Sequence, residues 1–276
     1  IEIASPASGT TGGFDKFCAG SLDVAMAYGP ITDAQAALCA EKKVEYVEVL
    51  LGYDVAVVAV NQASPATCLS VEQLNTLFSP SATGVNNWQT VDSTLGDKAI
   101  PALYAPPDDA QSRFLFDRII AGDGLRSDLT VLTTAAEMSE KLGAEPDSVA
   151  LMTLAEFSGI SGTAIKTLQV RSGTACLAAN AVNLDEARYP AAETLYLYVN
   201  AQRLENTTLK DFLTYLLGSK GQSKVRAGGF TTAGAVIYER GLGYLAEKRA
   251  GRTFSRIQRL NIAADVAGVL NLNGAA

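Results

Sequence analysis

The sequence predicts a mixed α/β protein. Three observations carry that reading. Strand-sized apolar runs, the longest at residues 55–60, alternate along the whole chain with segments whose apolar residues fall at helical spacing. Capping boxes stand at Thr32/Gln35 and Ser70/Gln73, and turns rich in glycine or proline separate the periodic segments. The chain has 276 residues, 48% hydrophobic and 18% charged, which is enough apolar material for one or two sizeable cores.

Residues 1–5 alternate around a β-branched pair and read as a strand, running into the turn Ser8-Gly9-Thr10-Thr11-Gly12-Gly13. Phe14 and Phe17 then sit at helical spacing. Residues 23–27 form a short apolar strand bounded by Pro30, and the Thr32/Gln35 box opens a helix through Cys39 to Glu41. This βαβα order predicts parallel strands with helices on their faces. From 44 to 61 two apolar, β-branched segments meet at Gly52-Tyr53-Asp54, with the length of a strand pair passing from one lobe to another. The Ser70/Gln73 box opens a second helix to Phe78, which Pro80 stops, and a polar loop with Trp88 follows.

Residues 99–104 read as a buried strand, and Pro106-Pro107-Asp108-Asp109 leads into a helix over 110–120. A helix at 135–142, strands at 149–153, 165–170 and 194–200, and helices at 209–217 and 236–248 follow. Residues 260–276 mix a short strand-like piece with a weak tail. No internal repeat or low-complexity linker interrupts the alternation.

Composition narrows function. No stretch approaches the roughly 18 to 20 apolar residues of a membrane span. The net charge of −7 is scattered rather than blocked, so no long-range attraction to nucleic acid or anionic membrane is expected. There is no histidine, and Cys18, Cys39, Cys68 and Cys176 contain no CxxC pair, which argues against the usual zinc sites and every histidine-dependent triad. An even cysteine count without metal spacing suits disulfides in an oxidising compartment. The start at Ile1, without an initiator methionine, reads as a mature or trimmed product. Asp15, Asp23, Asp108 and Asp109 are carboxylates without a placed nucleophile or metal partner; they read as caps or surface charges, and no enzyme is expected.

The stretch with the most chemistry is 7–14, between a strand and a helix. Small residues let backbone N–H groups point inward, the helix start adds partial positive charge, and Ser8, Thr10 and Thr11 offer hydroxyls. Such a loop can hold an oxyanion without a lysine. It matches neither a P-loop nor a GxGxxG fingerprint.

Those residues, with Phe17-Cys18-Ala19-Gly20, Asp23-Val24-Ala25-Met26-Ala27 and Pro30-Ile31, resemble the opening of the PstS-like periplasmic phosphate-binding proteins. The likeness continues at Gly52-Tyr53-Asp54, Thr67-Cys68-Leu69-Ser70-Val71-Glu72-Gln73-Leu74 and Asn87-Trp88. It returns at Tyr189-Pro190, Leu195-Tyr196-Leu197-Tyr198-Val199-Asn200 and Val236-Ile237-Tyr238-Glu239-Arg240.

The resemblance implies a two-lobed, periplasmic-binding-protein-like α/β fold, each lobe a mainly parallel sheet flanked by helices, with crossing strands at the hinge. Lobe I would take residues 1–58 and 195–276, and lobe II residues 59–194. It implies bridges Cys18–Cys39 and Cys68–Cys176, and an inorganic phosphate or similar oxyanion held by Ser8, Gly9, Thr10 and Thr11 from one lobe and Ser112 from the other. No cofactor or covalent chemistry is implied; the partner is an ABC permease, and the location is periplasmic or extracellular.

Departures from the family pattern are specific. Tyr28-Gly29 stands where the family has Ser-Arg before Pro-Ile, and Asp109-Ala110-Gln111-Ser112 where it has Asp-Ser-Gly-Thr. The family's first strand and its Ser-Ser-Thr loop are expected ahead of Ile1. Hydrogen bonds to a charged group contribute about 1.5–3 kcal/mol each, so these losses open an alternative: the same fold with a degenerate pocket, serving as a structural or interaction subunit of a surface or larger assembly. Other features have plainer readings. Arg113 is expected to face solvent, and Tyr196 and Tyr198 to pack as strand residues. The basic run Lys248, Arg249, Arg252, Arg256 and Arg259 reads as a solvated face, and Asn206-Thr207-Thr208 as a helix cap.

Overall fold

A computed structural model describes residues 9–108, 111–117, 120, 124–162 and 164–254. The chain divides into two compact units. One gathers the chain up to Tyr53, Asp185–Ala187 and the chain from Glu193 onward; the other gathers Asp54–Leu184 and Arg188–Ala192.

The first unit opens with α1 (Gly9–Cys18), β1 (Val24–Tyr28) and α2 (Asp33–Glu41), and takes the first half of β2 (Tyr46–Asn61). Thr10 to Gly13, expected in a loop, lie within α1, which buries Phe14, Phe17 and Cys18. The Phe14 ring meets the Tyr198 ring edge-on with centroids 4.9 Å apart. Both halves of the Thr32/Gln35 box form, and Cys18 bridges Cys39, tying the end of α1 to α2. β2 is one strand, buried along its whole length, rather than two segments meeting at Gly52. Gly52 serves a close approach instead: a Cβ there would stand 2.8 Å from the Thr231 carbonyl oxygen. Next to it, Tyr53 and Thr231 exchange backbone hydrogen bonds of 2.7 and 2.8 Å.

The second unit starts with the other half of β2 and continues through β3 (Cys68–Ser70), α3 (Val71–Phe78), α4 (Trp88–Val91), β4 (Leu103–Ala105) and α5 (Gln111–Phe116). Then come β5 (Thr130–Val131), α6 (Ala135–Ala144), β6 (Val149–Thr153), α7 (Leu154–Ser158), β7 (Ile165–Thr167), β8 (Gln169–Ser172), β9 (Ala175–Leu177) and α8 (Ala181–Asp185). Strands are ordered β2-β6-β4-β5 with β7 also on β2, and β3-β8-β9 form a separate small sheet. β4 runs parallel to β5 and β6, whereas β6 and β7 are antiparallel to β2.

The single strand predicted over 165–170 is split at the buried Leu168, so that its halves serve different sheets. Trp88, expected in a polar loop, is buried on α4 and donates its indole N–H to the Asp147 carbonyl at 3.0 Å. The Ser70/Gln73 box forms, as do boxes at Thr134/Glu137 and Thr153/Glu156, and Cys68 bridges Cys176 between β3 and β9.

The chain returns to the first unit along β10 (Ala192–Asn200), followed by α9 (Thr207–Leu217), α10 (Ser219–Ala227) and α11 (Ala235–Ala246). The strand order here is β1-β10-β2, with β1 antiparallel to β10. The mainly parallel sheet expected from the βαβα order is therefore a mixed one. Its neighbours β1 and β10 are distant in sequence, so no single helical crossover links them and imposes the parallel sense. Asn206 caps α9, its side-chain oxygen accepting the Thr208 and Leu209 N–H groups. The predicted strand at 1–5 and the tail at 260–276 lie outside the described residues.

Candidate anion site

In the first unit the expected anion residues fall at the start of α1. Ser8 lies outside the described residues; Gly9 is the first residue of the helix, and Thr10 and Thr11 are in its first turn. A ten-residue helix carries unsatisfied N–H groups and partial positive charge at that end, the arrangement that favours an oxyanion. Thr10 is half-buried and its Oγ1 accepts the Tyr28 backbone N–H at 3.3 Å, tying the helix start to the end of β1, while Thr11 is exposed.

Behind this end lies a buried polar relay that the sequence analysis did not single out. Tyr28 leads into Gly29, at φ 73°, whose N–H donates to the Thr194 carbonyl at 2.8 Å. Two residues on, the Ile31 N–H donates to the Tyr198 hydroxyl at 2.8 Å, and that hydroxyl donates to Glu48 Oε2 at 2.9 Å. Glu48 is fully buried; its Oε1 accepts the Thr253 N–H at 3.0 Å, and its backbone carbonyl accepts the Thr253 hydroxyl. Burial, and next the Glu48 charge, hold the Tyr198 hydroxyl far above its ordinary titration range, so it stays protonated and can donate. The signal available in the sequence was Glu48, one of two acidic residues, with Asp54, in the otherwise largely apolar segment that forms β2. Glu193 is a second buried carboxylate here, with Oε1 3.6 Å from where a Cβ on Gly29 would stand.

In the second unit the candidate residues sit on α5. Ser112 is 9% exposed. Arg113 does not face solvent: its side chain is only 13% exposed, with one terminal nitrogen 2.6 Å from Asp108 Oδ1 and Nε 3.1 Å from Asp117 Oδ1. Asp117 is fixed in turn by the Leu125 N–H at 3.0 Å. Ala110 lies outside the described residues.

Other sequence candidates resolve into structural roles. Tyr196 and Tyr198 are both fully buried, so neither offers a surface for stacking. Lys248 pairs with Glu205, Arg249 lies 4.8 Å over the Tyr244 ring, and Arg252 pairs with Asp33 at 2.7 Å. These three cations are engaged by neighbours, whereas Arg256 and Arg259 lie outside the described residues. Asp23 pairs with Arg203 at 3.4 Å. Among the described residues no group of three or more His, Cys, Asp or Glu is placed to hold a metal ion, and no helix is long and apolar enough to cross a membrane.

The profile of a PBP superfamily domain matches residues 2–220, most of the chain. The chain belongs to the PBP superfamily. Among relatives of this PBP-superfamily chain, the protein SphX of Synechococcus elongatus is 24% identical over 258 residues, covering 92% of this chain and 76% of that protein. The phosphate-binding protein PstS of Staphylococcus saprophyticus is 25% identical over 244 residues, covering 83% and 70%. Among solved structures, a possible phosphate-binding protein from Planctomyces limnophilus superposes with a TM-score of 0.77 at 25% identity, covering 87% of this chain and 86% of that one. PstS from Borrelia burgdorferi superposes at 0.64 with 17% identity, covering 83% and 86%, a likeness of fold. A PBP-superfamily fold accounts for the two compact units and for the mixed sheets within them.

Proposed function

We propose that this chain is an extracytoplasmic solute-binding protein that takes inorganic phosphate and presents it to an ABC permease, without covalent chemistry. The observation that carries this reading is the likeness, over 83% to 92% of the chain, to the SphX and PstS proteins, one of which is named for phosphate binding. The local chemistry supports it. Gly9, Thr10 and Thr11 offer neutral donors at the start of α1, Ser8 precedes them in the sequence, and Ser112 with Arg113 offers a hydroxyl and a guanidinium on α5. Neutral donors with a helix end hold a small oxyanion without a cluster of lysines, which agrees with an acidic chain. Two disulfides suit an oxidising compartment, periplasmic or extracellular. The reading of a spent pocket in a structural subunit is not favoured, since the similarity runs through phosphate-binding proteins.

The test is isothermal titration of the whole chain with phosphate, with sulfate as the comparison anion. Saturable phosphate binding that weakens in both Ser8→Ala and Ser112→Ala is the expected result. Absence of heat and of thermal stabilisation at millimolar phosphate overturns the proposal.

A further inference from the structure

We propose that the Cys68–Cys176 bridge is a thiol-exchange site, opened by a dithiol reductant while the chain stays folded, and that Cys18–Cys39 is not. The two bridges sit in opposite surroundings. Cys18 and Cys39 are fully buried, so a thiolate reaches their sulfurs only after the structure around them opens. Cys176 is exposed and Cys68 is half-buried. Access of this kind separates bridges that exchange from bridges that persist.

The chain around Cys176 suits an incoming partner. Residues Arg171 to Cys176 are all exposed and form the tip of the β8–β9 hairpin, turned by Gly173 at φ 57°. β9 is the outer strand of the β3-β8-β9 sheet, so among the described residues its outer edge has no strand partner. A reductant can lay an extended segment along that edge and bring its thiolate to Cys176. Arg171 stands directly across from Cys176 in the antiparallel register, and residues so paired share a face. Arg171 makes no ion pair among the described residues; Asp92, the carboxylate in its field, is taken up by bonds from Gln73 and Thr94. A guanidinium placed there draws in a thiolate and stabilises the charge spread over three sulfurs as exchange proceeds.

The chemistry balances with two thiols. The first thiolate bonds to the Cys176 sulfur, the S–S bond breaks, and Cys68 leaves as a thiolate that takes up a proton. The second thiolate of the same reductant attacks its own partner sulfur in the mixed disulfide and releases Cys176. The reductant ends as a disulfide, and its two protons end on Cys68 and Cys176. The parallel β3–β8 pairing is then what holds the hairpin to the second unit.

The experiment treats the native chain with dithiothreitol without denaturant, quenches with iodoacetamide at intervals and reads the four cysteines by peptide mass spectrometry. Fluorescence of Trp88, buried in the second unit, is followed alongside, and a parallel arm uses glutathione to trap the first adduct. Wild type, Arg171→Gln and Arg171→Lys are compared at low and high salt. The expected result is alkylation of Cys68 and Cys176 at least about a hundredfold faster than of Cys18 and Cys39, ahead of any change in Trp88. Glutathione is expected on Cys176. Arg171→Gln is expected to slow opening about threefold at low salt, with Arg171→Lys close to wild type and the difference lost at high salt. Equal rates for the two bridges, faster opening of Cys18–Cys39, or alkylation that only keeps pace with loss of the native Trp88 signal overturns the exchange site. Glutathione on Cys68 overturns the direction of attack, and an unchanged rate in Arg171→Gln overturns the role of the arginine.

Discussion

The Tyr198 hydroxyl stands between Ile31 and Glu48, accepting the Ile31 N–H at 2.8 Å and donating to the buried carboxylate at 2.9 Å. One phenol thus links the turn after β1 to a buried carboxyl group near the start of β2, and Glu48 passes the link on to Thr253. Tyr198→Phe removes both bonds and leaves a buried N–H and a buried carboxylate each short of a partner. The expected cost is about 2–4 kcal/mol, a fall in melting temperature of roughly 5–15 °C. Because Ile31 belongs to the turn beside Thr10 and Tyr28, phosphate affinity is expected to fall as well. Thermal denaturation and phosphate titration of the same sample check both; a variant as stable as wild type would show that the relay contributes nothing.

Thr10 is the described hydroxyl that the structure ties to the neighbouring strand, through the Tyr28 N–H at 3.3 Å. Thr10→Val keeps the shape and removes the acceptor, with an expected loss of about 1 kcal/mol in stability and at least a tenfold loss in phosphate affinity. Thr10→Ser keeps the hydroxyl and is expected to stay within a factor of about three of wild type. Calorimetry on the pair separates a role for the hydroxyl from a role for side-chain bulk.

Local rules were legible where sequence and structure are both short-range. The capping boxes at Thr32/Gln35 and Ser70/Gln73 form as read, because each uses a side chain and backbone groups three residues apart. The helix with Phe14 and Phe17 and the Asn206 cap follow the same logic. What was not legible depends on distant chain. The antiparallel pairing of β1 with β10 joins residues such as Met26 and Leu197, and the division of 165–170 between two sheets depends on which strand each half meets. Helix α10 was missed because its sequence is polar, and it is helical with only Gly221, Gln222 and Val225 buried. At the candidate site, Arg113 was misread as solvent-facing because its partner Asp117, one turn away on the same helical segment, is recognisable as a clamp only once Leu125 is seen to fix it.

Acid should act on the second unit through Arg126 and Asp128. The Arg126 side chain is only 3% exposed; it donates to the Leu77 and Val85 carbonyls at 3.0 and 2.8 Å and to Asp128 Oδ2 at 2.6 Å. Those bonds from Arg126 hold the Asp128 carboxyl down to about 2. A folded-state value below the unfolded one means that the pair stabilises the fold above about pH 4, and that this contribution is lost as pH falls from about 4 through 2. The carboxylate is 39% exposed, so solvent screening reduces the effect to about 1 kcal/mol. Asp128→Asn is expected to be less stable than wild type at pH 7 and to converge with it near pH 2. Urea midpoints measured across that range would show parallel curves if the pair were not responsible.

The two disulfides close loops of very different length within different units. Cys18–Cys39 spans 21 residues in the first unit, and Cys68–Cys176 spans 108 in the second. Chain-entropy reasoning assigns about 3 kcal/mol to a loop of the first size and about 5 to one of the second, since the restriction removed from the unfolded chain grows with the logarithm of length. A chain with two compact units has no obligation to unfold in one step. Cys68→Ser/Cys176→Ser is therefore expected to lower a transition belonging to the second unit, and Cys18→Ser/Cys39→Ser to lower one belonging to the first, by the smaller amount. Urea unfolding gives a direct comparison if fluorescence of Trp88, which is buried in the second unit, is followed alongside far-ultraviolet dichroism of the whole chain. If Trp88 reports the same midpoint shift for both double variants, the units unfold as one, and the bridges stabilise a single cooperative structure.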